Sequence, residues 1–267
     1  MDIKQLLPVI YKAPTPTGSL SGYGAECVSY FTKIGAIDYI GYVTDEEFIE
    51  KVEEFAGGLE KDNAAFWKAW SSLDLSTVIE EAVAKAFKSL PLTEEIIHFF
   101  IFPWSADRDS VADFGGVSAV APHASVVHLF IDPTCPGMLR ATEETVVHEY
   151  THLYYYQTSD RDTYALYEHM LMEGIAEVFR EEIVGGRPAP WSTALDKKTA
   201  LDLFKQLKKH LTSTDETLHA NVLFGGAGYL KWTGYSLGYH LVRQERNGAE
   251  DWVQFIERLR TERPELH

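Results

Sequence analysis

Residues 142–157 read TEETVVHEYTHLYYYQ, and the spacing of this segment predicts an amphipathic helix. Thr142 is placed to be its N-cap, and the two glutamates after it fall in the first turn, where carboxylates favour the positive end of a helix. Apolar residues recur at three- and four-residue spacings and predict one apolar face: Val146, Val147, Tyr150, Leu153 and Tyr154. The turn-forming residues Pro133–Gly137 separate this helix from a strand upstream.

The segment contains the string His148-Glu149-Tyr150-Thr151-His152, which is an H-E-x-x-H motif. On a helix the two histidines share one face, so both imidazoles can bind one tetrahedral metal ion. Glu149 then points about 100° around the helix axis, where it can reach a metal-bound water without binding the metal. This arrangement suits a zinc hydrolase. The alternative is that both histidines are ordinary hydrogen-bonded residues of a half-buried helix.

A catalytic zinc site needs a third protein ligand and one position open for water. The metzincin extension would place Gly at 155 and His at 158, but the chain has Tyr155 and Thr158 there, which excludes that class. The gluzincin alternative needs a glutamate on a second helix, and Glu173 lies 21 positions after His152. Two other residues are rival third ligands at shorter spacings: Glu168 and His169.

The second helix is predicted to start at Asp160 or Thr163, to end at Gly185-Gly186, and to pack antiparallel to the first. It contains Gly174, although glycine costs about 1 kcal/mol relative to alanine inside a helix. A glycine there indicates the close approach of another backbone or of the metal site, or it only eases helix packing.

A second carboxylate, Glu177, lies one turn beyond Glu173 on the same predicted face. A histidine that binds a metal normally donates its other N–H to a carboxylate or a carbonyl, which fixes the orientation of the ring. Glu177 is therefore placed to orient His148. The alternative is a solvated helix face, but methionine, isoleucine and phenylalanine surround the two acids.

The H-E-Y-T-H string followed by Glu-Gly-Ile-Ala-Glu at 173–177 resembles the gluzincin metallopeptidases. It is more closely similar to a bacterial family of predicted zinc-dependent proteases, which pairs an H-E-Y-x-H helix with an E-G-x-A-E helix. The resemblance covers about 126–179, extends weakly to 225–241 and says little about 1–95. It implies a helix-rich, two-lobed fold and one Zn²⁺ per chain. The residues that it implies are three ligands (His148, His152, Glu173), the general base Glu149 and the supporting acid Glu177.

The composition limits the partners and the location of the protein. The chain has 267 residues, 45% hydrophobic residues and a net charge of −16, which describe a globular and acidic protein. The acidic balance argues against nucleic acid and against an anionic membrane surface as partners. The first residues carry no signal-peptide pattern, and no apolar run approaches the ~20 residues of a membrane span. We expect a soluble, cytoplasmic protein in which Cys27 and Cys135 form no metal site.

The order of predicted elements gives an α+β fold, with a small mixed sheet packed on the H-E-x-x-H helix. We expect one catalytic unit over 1–267, made of a mainly helical part (1–95), the sheet with the motif helix (96–158) and a helical lobe (159–267). Further helices are predicted over 44–56, 63–71, 75–89, 195–211, 229–244 and 249–260, and strands over 95–102, 117–121 and 126–131.

The strand that contains Gly116, Val117, Ser118 and Ala119 is a candidate for substrate binding. Peptides can bind by adding a strand to an exposed sheet edge, and glycine with small residues would let a peptide backbone approach. An ordinary hairpin strand with a glycine turn is the alternative.

Peptide hydrolysis also needs a donor for the developing oxyanion. We favour Tyr235 for this role because Gly234-Tyr235 echoes the pattern of the family. The rival donors are Tyr229, Tyr239 and His240. Five other histidines are interpreted as structural or surface residues: His98, His123, His128, His210 and His219.

Together these features predict a zinc peptidase that acts on a peptide or protein substrate. Two alternatives stay open: a zinc-containing binding or regulatory protein without significant turnover, and a metal-dependent hydrolase of non-peptide substrates. Water activation, which is all that the motif specifies, does not determine the bond that is attacked.

Overall fold

The computed structural model describes residues 6–18, 20–41, 44–60, 63–105, 114–159 and 163–267. The chain forms two compact units, Met1–Ala84 with Leu92–Glu149 and Lys85–Pro91 with Tyr150–His267. Within the described residues there are ten α-helices and one four-stranded sheet. The predicted α+β class is therefore confirmed. None of the helices in the described ranges has the length and apolar character that a membrane span requires.

The sheet lies in the first unit and is mixed, as predicted. Its strands are β1 (Leu7–Lys12), β2 (Ile96–Pro103), β3 (Val117–His123) and β4 (Val126–Ile131). Their order is β1-β2-β4-β3, so β1 and β3 are the outer strands among those described. The first three strands in this order are parallel, whereas β3 runs antiparallel to β4. The three predicted strands are confirmed with small shifts of their ends.

Strand β1 was not predicted, because the first 95 residues were interpreted as mainly helical. Its sequence contains Pro8, which cannot donate a ladder hydrogen bond and is tolerated at a sheet edge. Pairing with β2 places Pro8 opposite Ile97. The end of the strand is held by Lys12, whose Nζ lies 2.7 Å from the carbonyl oxygen of Leu73. Non-local contacts thus create a strand that local propensity does not indicate.

The first unit also contains three helices and most of a fourth: α1 (Tyr23–Lys33), α2 (Asp45–Ala56), α3 (Ala64–Ser72) and α4 (Ser76–Phe87), whose last residues belong to the second unit. Helix α2 begins with a capping box, in which Thr44 and Glu47 each satisfy the other's backbone N–H. Asn63 caps α3 by accepting from the backbone N–H of Phe66. These local signals explain why α2 and α3 were predictable. Cys27 and Cys135 are both free thiols.

His128 is a buried packing residue of the first unit. Only 1% of it is exposed, and Nε2 donates to the carbonyl oxygen of Ile40 at 2.7 Å. The rings of Phe100 and Phe102 lie 5.6 Å from its ring. Burial lowers the pKa of His128 to about 4, even though the hydrogen bond to Ile40 favours the charged form.

The lowered pKa of His128 predicts a loss of stability in mild acid. The unfolded chain binds a proton near pH 6.5, whereas the folded chain does so only near pH 4. The unfolded state therefore holds more protons in this window, and stability falls as the pH drops through it, by about 3 kcal/mol at most. Urea unfolding of wild type and His128→Gln between pH 7 and 4 measures this. The variant should lose that part of the pH dependence, and a control change at exposed His123 (His123→Gln) should retain it; equal pH dependence in all three proteins would contradict the assignment.

The motif helix α5 spans Met138–Gln157 and begins four residues before the predicted start. The prediction of Thr142 as N-cap was wrong. Thr142 is buried inside the helix, where its Oγ1 donates to the carbonyl oxygen of Met138 at 2.9 Å. The glutamates thought to occupy the first turn instead bind Arg140, each at 2.7 Å. The residues 138–141 are good helix formers, which extend the helix back to the turn at Gly137.

The second unit contains the end of α5 and five more helices: α6 (Leu166–Val184), α7 (Lys197–Leu207), α8 (Glu216–Phe224), α9 (Thr233–Glu245) and α10 (Trp252–Glu262). Helix α6 starts later than predicted, since Thr163 is not helical and Asp160 lies outside the described residues. Gly185, with φ of 73°, ends α6 as predicted. Helix α8 was not predicted, although Asp215 caps it clearly by accepting two backbone N–H groups.

Helices α6 and α9 approach each other at a pair of glycines. A Cβ at Gly174 would lie 2.9 Å from the Cα of Gly238 and would overlap its carbonyl group. A Cβ at Gly238 would overlap the carbonyl oxygen of Met170. Of the explanations considered for Gly174, the structure supports close approach of another backbone.

Candidate metal centre

One helix brings three potential metal-binding side chains together. Ligand atoms of His148, Glu149 and His152 lie within 4.8 Å of one another on α5. Glu149 and His152 are each 7% exposed. The unbroken helix accounts for this arrangement, because residues four apart share one face and residue 149 follows directly on the first histidine. The predicted helical context of the motif is thus present.

Glu173 lies beside one of these histidines. On α6, its Oε2 is 3.8 Å from Nε2 of His152. Two ligands about 2.1 Å from a tetrahedral zinc ion lie roughly 3.4 Å apart, so a small side-chain movement would let both atoms bind the same ion. This position favours Glu173 as a third ligand, and its binding of a metal stays a prediction.

The donor set fits zinc better than other common metals. Imidazole nitrogens with one carboxylate oxygen are typical of catalytic zinc sites, whereas calcium and magnesium prefer sites made of oxygen ligands. The two imidazoles and the carboxylate are carried by helices, which fixes their backbones. The residues present therefore fit the metal that the motif implies.

Glu177 forms a buried ion pair. Its Oε2 accepts from Nη2 of Arg180 at 2.9 Å, and the two side chains are only 2% and 3% exposed. Arg180 also donates to the carbonyl oxygen of Arg187. This contact with the arginine holds the carboxylate of Glu177 in one position. The orientation of His148 by Glu177 stays a prediction.

Arg180 is a residue that the sequence analysis missed. A signal was present, since an arginine three positions after Glu177 in an apolar stretch indicates a buried partner for the acid. The two rival ligands have other contacts in the structure. Glu168 accepts from the backbone N–H of Ala165 at 2.8 Å and so caps α6. His169 packs its ring 4.7 Å from the ring of His219.

The candidate oxyanion donors lie on or just before α9. Tyr235 is half-buried, with its ring 5.4 Å from the ring of Trp232 and 6.1 Å from that of Phe224. Tyr239 is buried, and its hydroxyl group contacts Glu181 and Arg243. The Nε2 atom of His240 lies 2.9 Å from the carbonyl oxygen of Leu195, and Tyr229 forms a bridge with Gly226. The contacts of Tyr239 and His240 indicate structural roles for both residues. The role of Tyr235 as oxyanion donor stays a prediction.

The candidate substrate strand is β3, an outer strand among those described. The two glycines that precede β3 are explained by contacts within the chain itself. Gly115 and Gly116 have φ of 62° and 81°, and a Cβ at Gly116 would lie 2.5 Å from Cβ and Sγ of Cys135. A Cβ at Gly115 would lie 2.9 Å from Cβ of Ala141. The chain's own side chains thus require both glycines, which leaves the outer position of β3 as the feature that favours substrate binding.

An α+β chain with an H-E-x-x-H helix and a neighbouring glutamate has the features of a zinc-dependent hydrolase. Residues 75–255 match the model of a family described as "Predicted Zn-dependent protease (DUF2268)", and the chain belongs to this family. The resemblance to the predicted zinc-dependent proteases, noted from the two motifs, is thereby confirmed. No curated protein and no solved structure matches the chain.

Proposed function

We propose that this protein is a gluzincin-type zinc peptidase in which His148, His152 and Glu173 hold one zinc ion. The observation that carries the proposal is the cluster of His148, Glu149 and His152 on one helix, with ligand atoms within 4.8 Å of one another. Glu173 supports it, because its carboxylate lies 3.8 Å from His152.

Zinc bound by these residues would lower the pKa of a water molecule and polarise the carbonyl group of a substrate. Glu149 would take the proton of the attacking water and deliver it to the leaving amine. Its side chain is 7% exposed, and this low exposure favours proton transfer to a reactant over exchange with bulk water.

Three further features complete the proposal. Glu177, held by Arg180, would orient His148. Tyr235 would donate to the oxyanion. The outer strand β3, with Val117, Ser118 and Ala119 at its start and Gly116 just before it, would pair with an extended peptide. We propose a cytoplasmic peptidase with a peptide or protein substrate.

Incubation of the zinc-loaded protein with a diverse peptide mixture tests this function, with the products read by mass spectrometry. We expect cleavage at defined bonds that stops when zinc is removed by a chelator and returns when zinc is restored. Binding of peptides without cleavage would indicate a binding protein instead. Hydrolysis confined to non-peptide esters or amides would indicate the second alternative.

A further inference from the structure

A row of aromatic rings starts at His152 and leads back to Glu173 within the second unit. The ring centroids of His152 and Tyr156 are 6.4 Å apart, and those of Tyr156 and Tyr164 are 6.1 Å apart. The ring of Tyr164 lies 6.0 Å from that of His169. His169 is one turn before Glu173 on α6, and Glu173 lies 3.8 Å from His152. The three middle rings therefore lie next to the two proposed ligands, His152 and Glu173.

The three middle residues are half-buried, and two of them pack against buried residues. Tyr156, Tyr164 and His169 are each half-buried. Tyr155, which is 3% exposed, packs its ring 5.8 Å from that of Tyr164. His219, which is 5% exposed, lies 4.7 Å from His169. The rings thus form a preformed aromatic wall, defined here as Tyr156, Tyr164 and His169.

A second element fixes the position of His219 behind this wall. The Nε2 atom of His219 donates to the carbonyl oxygen of Ser213 at 2.8 Å. The backbone N–H of Leu166 donates to the same carbonyl oxygen at 2.9 Å. One carbonyl therefore ties α8 to the start of α6, the helix that bears both His169 and Glu173. The wall and the proposed ligand share one rigid support.

The charges around the wall favour an uncharged occupant. Burial, together with the neighbouring His219, lowers the pKa of His169, which favours the uncharged form of this ring. The carboxylate of Glu168 already accepts from the backbone of Ala165 and lies 3.7 Å from Arg263. Glu173 would be neutralised by zinc. A cationic side chain could contact the aromatic rings, but the charges of Glu168 and Glu173 would already be balanced by Arg263 and by zinc.

We propose that the aromatic wall is a specificity subsite that receives an aromatic side chain of the substrate next to the scissile bond. The proposal rests on the proposed peptidase function and adds a substrate class to it. The partly exposed rings of the wall would stack against a flat ring at the 4.5–7 Å centroid distances that aromatic pairs prefer. A large side chain held there would position the adjacent peptide bond beside His152 and Glu173.

Peptides that differ at one position test the subsite. Phe, Leu, Ala or Lys is placed on either side of a cleaved bond, and kcat/KM is compared for the zinc-loaded protein. We expect a preference for Phe over Ala of roughly 10- to 100-fold on one side. Tyr156→Leu and Tyr164→Leu should each reduce that ratio about 3- to 10-fold. Tyr30→Leu, a change of a half-buried tyrosine that packs on Phe31 in the first unit, should leave it unchanged.

Two results would overturn the subsite. One is a Phe-to-Ala ratio of kcat/KM that is close to one in wild type, or that neither Tyr156→Leu nor Tyr164→Leu changes. The other is a higher kcat/KM for the Lys peptide than for the Phe peptide. Calorimetry of N-acetyl-phenylalaninamide and N-acetyl-alaninamide with zinc-loaded Glu149→Gln protein separates this proposal from the peptidase proposal. If the phenylalanine amide binds selectively, Tyr164→Leu abolishes this binding, and wild type cleaves no peptide, the peptidase proposal is overturned and the subsite is retained. Cleavage without selectivity would overturn the subsite alone.

Discussion

Replacement of Glu149 by glutamine is expected to leave zinc in place and to lower kcat by about 10²- to 10⁴-fold, because the amide cannot accept the proton of the attacking water. Glutamine has nearly the same shape as glutamate, so the helix and the two histidines should stay as they are. The measurement combines kcat/KM on a cleaved peptide with metal analysis of the same preparation.

The matched control is Glu144→Gln, five residues earlier on α5. Its carboxylate binds Arg140 at 2.7 Å and is not among the clustered ligands. This variant should keep both zinc and activity. Undiminished turnover in Glu149→Gln would remove Glu149 as the base. Loss of zinc together with activity would instead assign the residue to metal binding.

Replacement of Gly238 by alanine is expected to produce the largest loss of stability. The new Cβ would overlap the carbonyl oxygen of Met170 and lie 2.7 Å from its carbonyl carbon. Because both atoms belong to the backbone of α6, relief requires the helices to move apart, which we expect to cost about 3 kcal/mol or more. This exceeds the ~1 kcal/mol that alanine gains over glycine within a helix. Urea unfolding measures the difference.

Gly18→Ala serves as the control for this change. No heavy atom lies within 4 Å of a Cβ built at Gly18, and its φ is outside the left-handed region. Its stability should stay within about 1 kcal/mol of wild type. A stable Gly238→Ala protein would show that α6 and α9 are farther apart than the structure has them.

The motif helix and its neighbour were predictable because their signals are local. The spacing of the two histidines and the periodicity around them indicate a helix whatever surrounds it. Gly174 indicated a close approach because a glycine inside a helix needs a reason, and the backbone of Gly238 supplies it. The third candidate ligand, Glu173, needed more than periodicity. Only its spacing from His152 in a familiar motif selected it over Glu168 and His169.

The features that could not be predicted depend on partners distant in sequence. Strand β1 exists because it pairs with residues about 90 positions later, such as Leu7 with Ile96. The start of α5 is an exception with a local cause. Thr142 is a good N-cap residue, but the helix formers at 138–141 extend the helix beyond it, and its hydroxyl group donates to the carbonyl oxygen of Met138. The aromatic wall joins the end of α5 to the start of α6, and a single sequence gives no indication that Tyr156, Tyr164 and His169 meet.

The metal content of the protein tests the central claim most directly. Wild type purified without added zinc should contain about one zinc ion per chain, and His148→Ala, His152→Ala and Glu173→Ala should each lose most of it. His123→Ala, a change of an exposed histidine on β3, should keep the wild-type amount. Absence of stoichiometric zinc from wild type, or full retention of zinc by His148→Ala, would contradict the account.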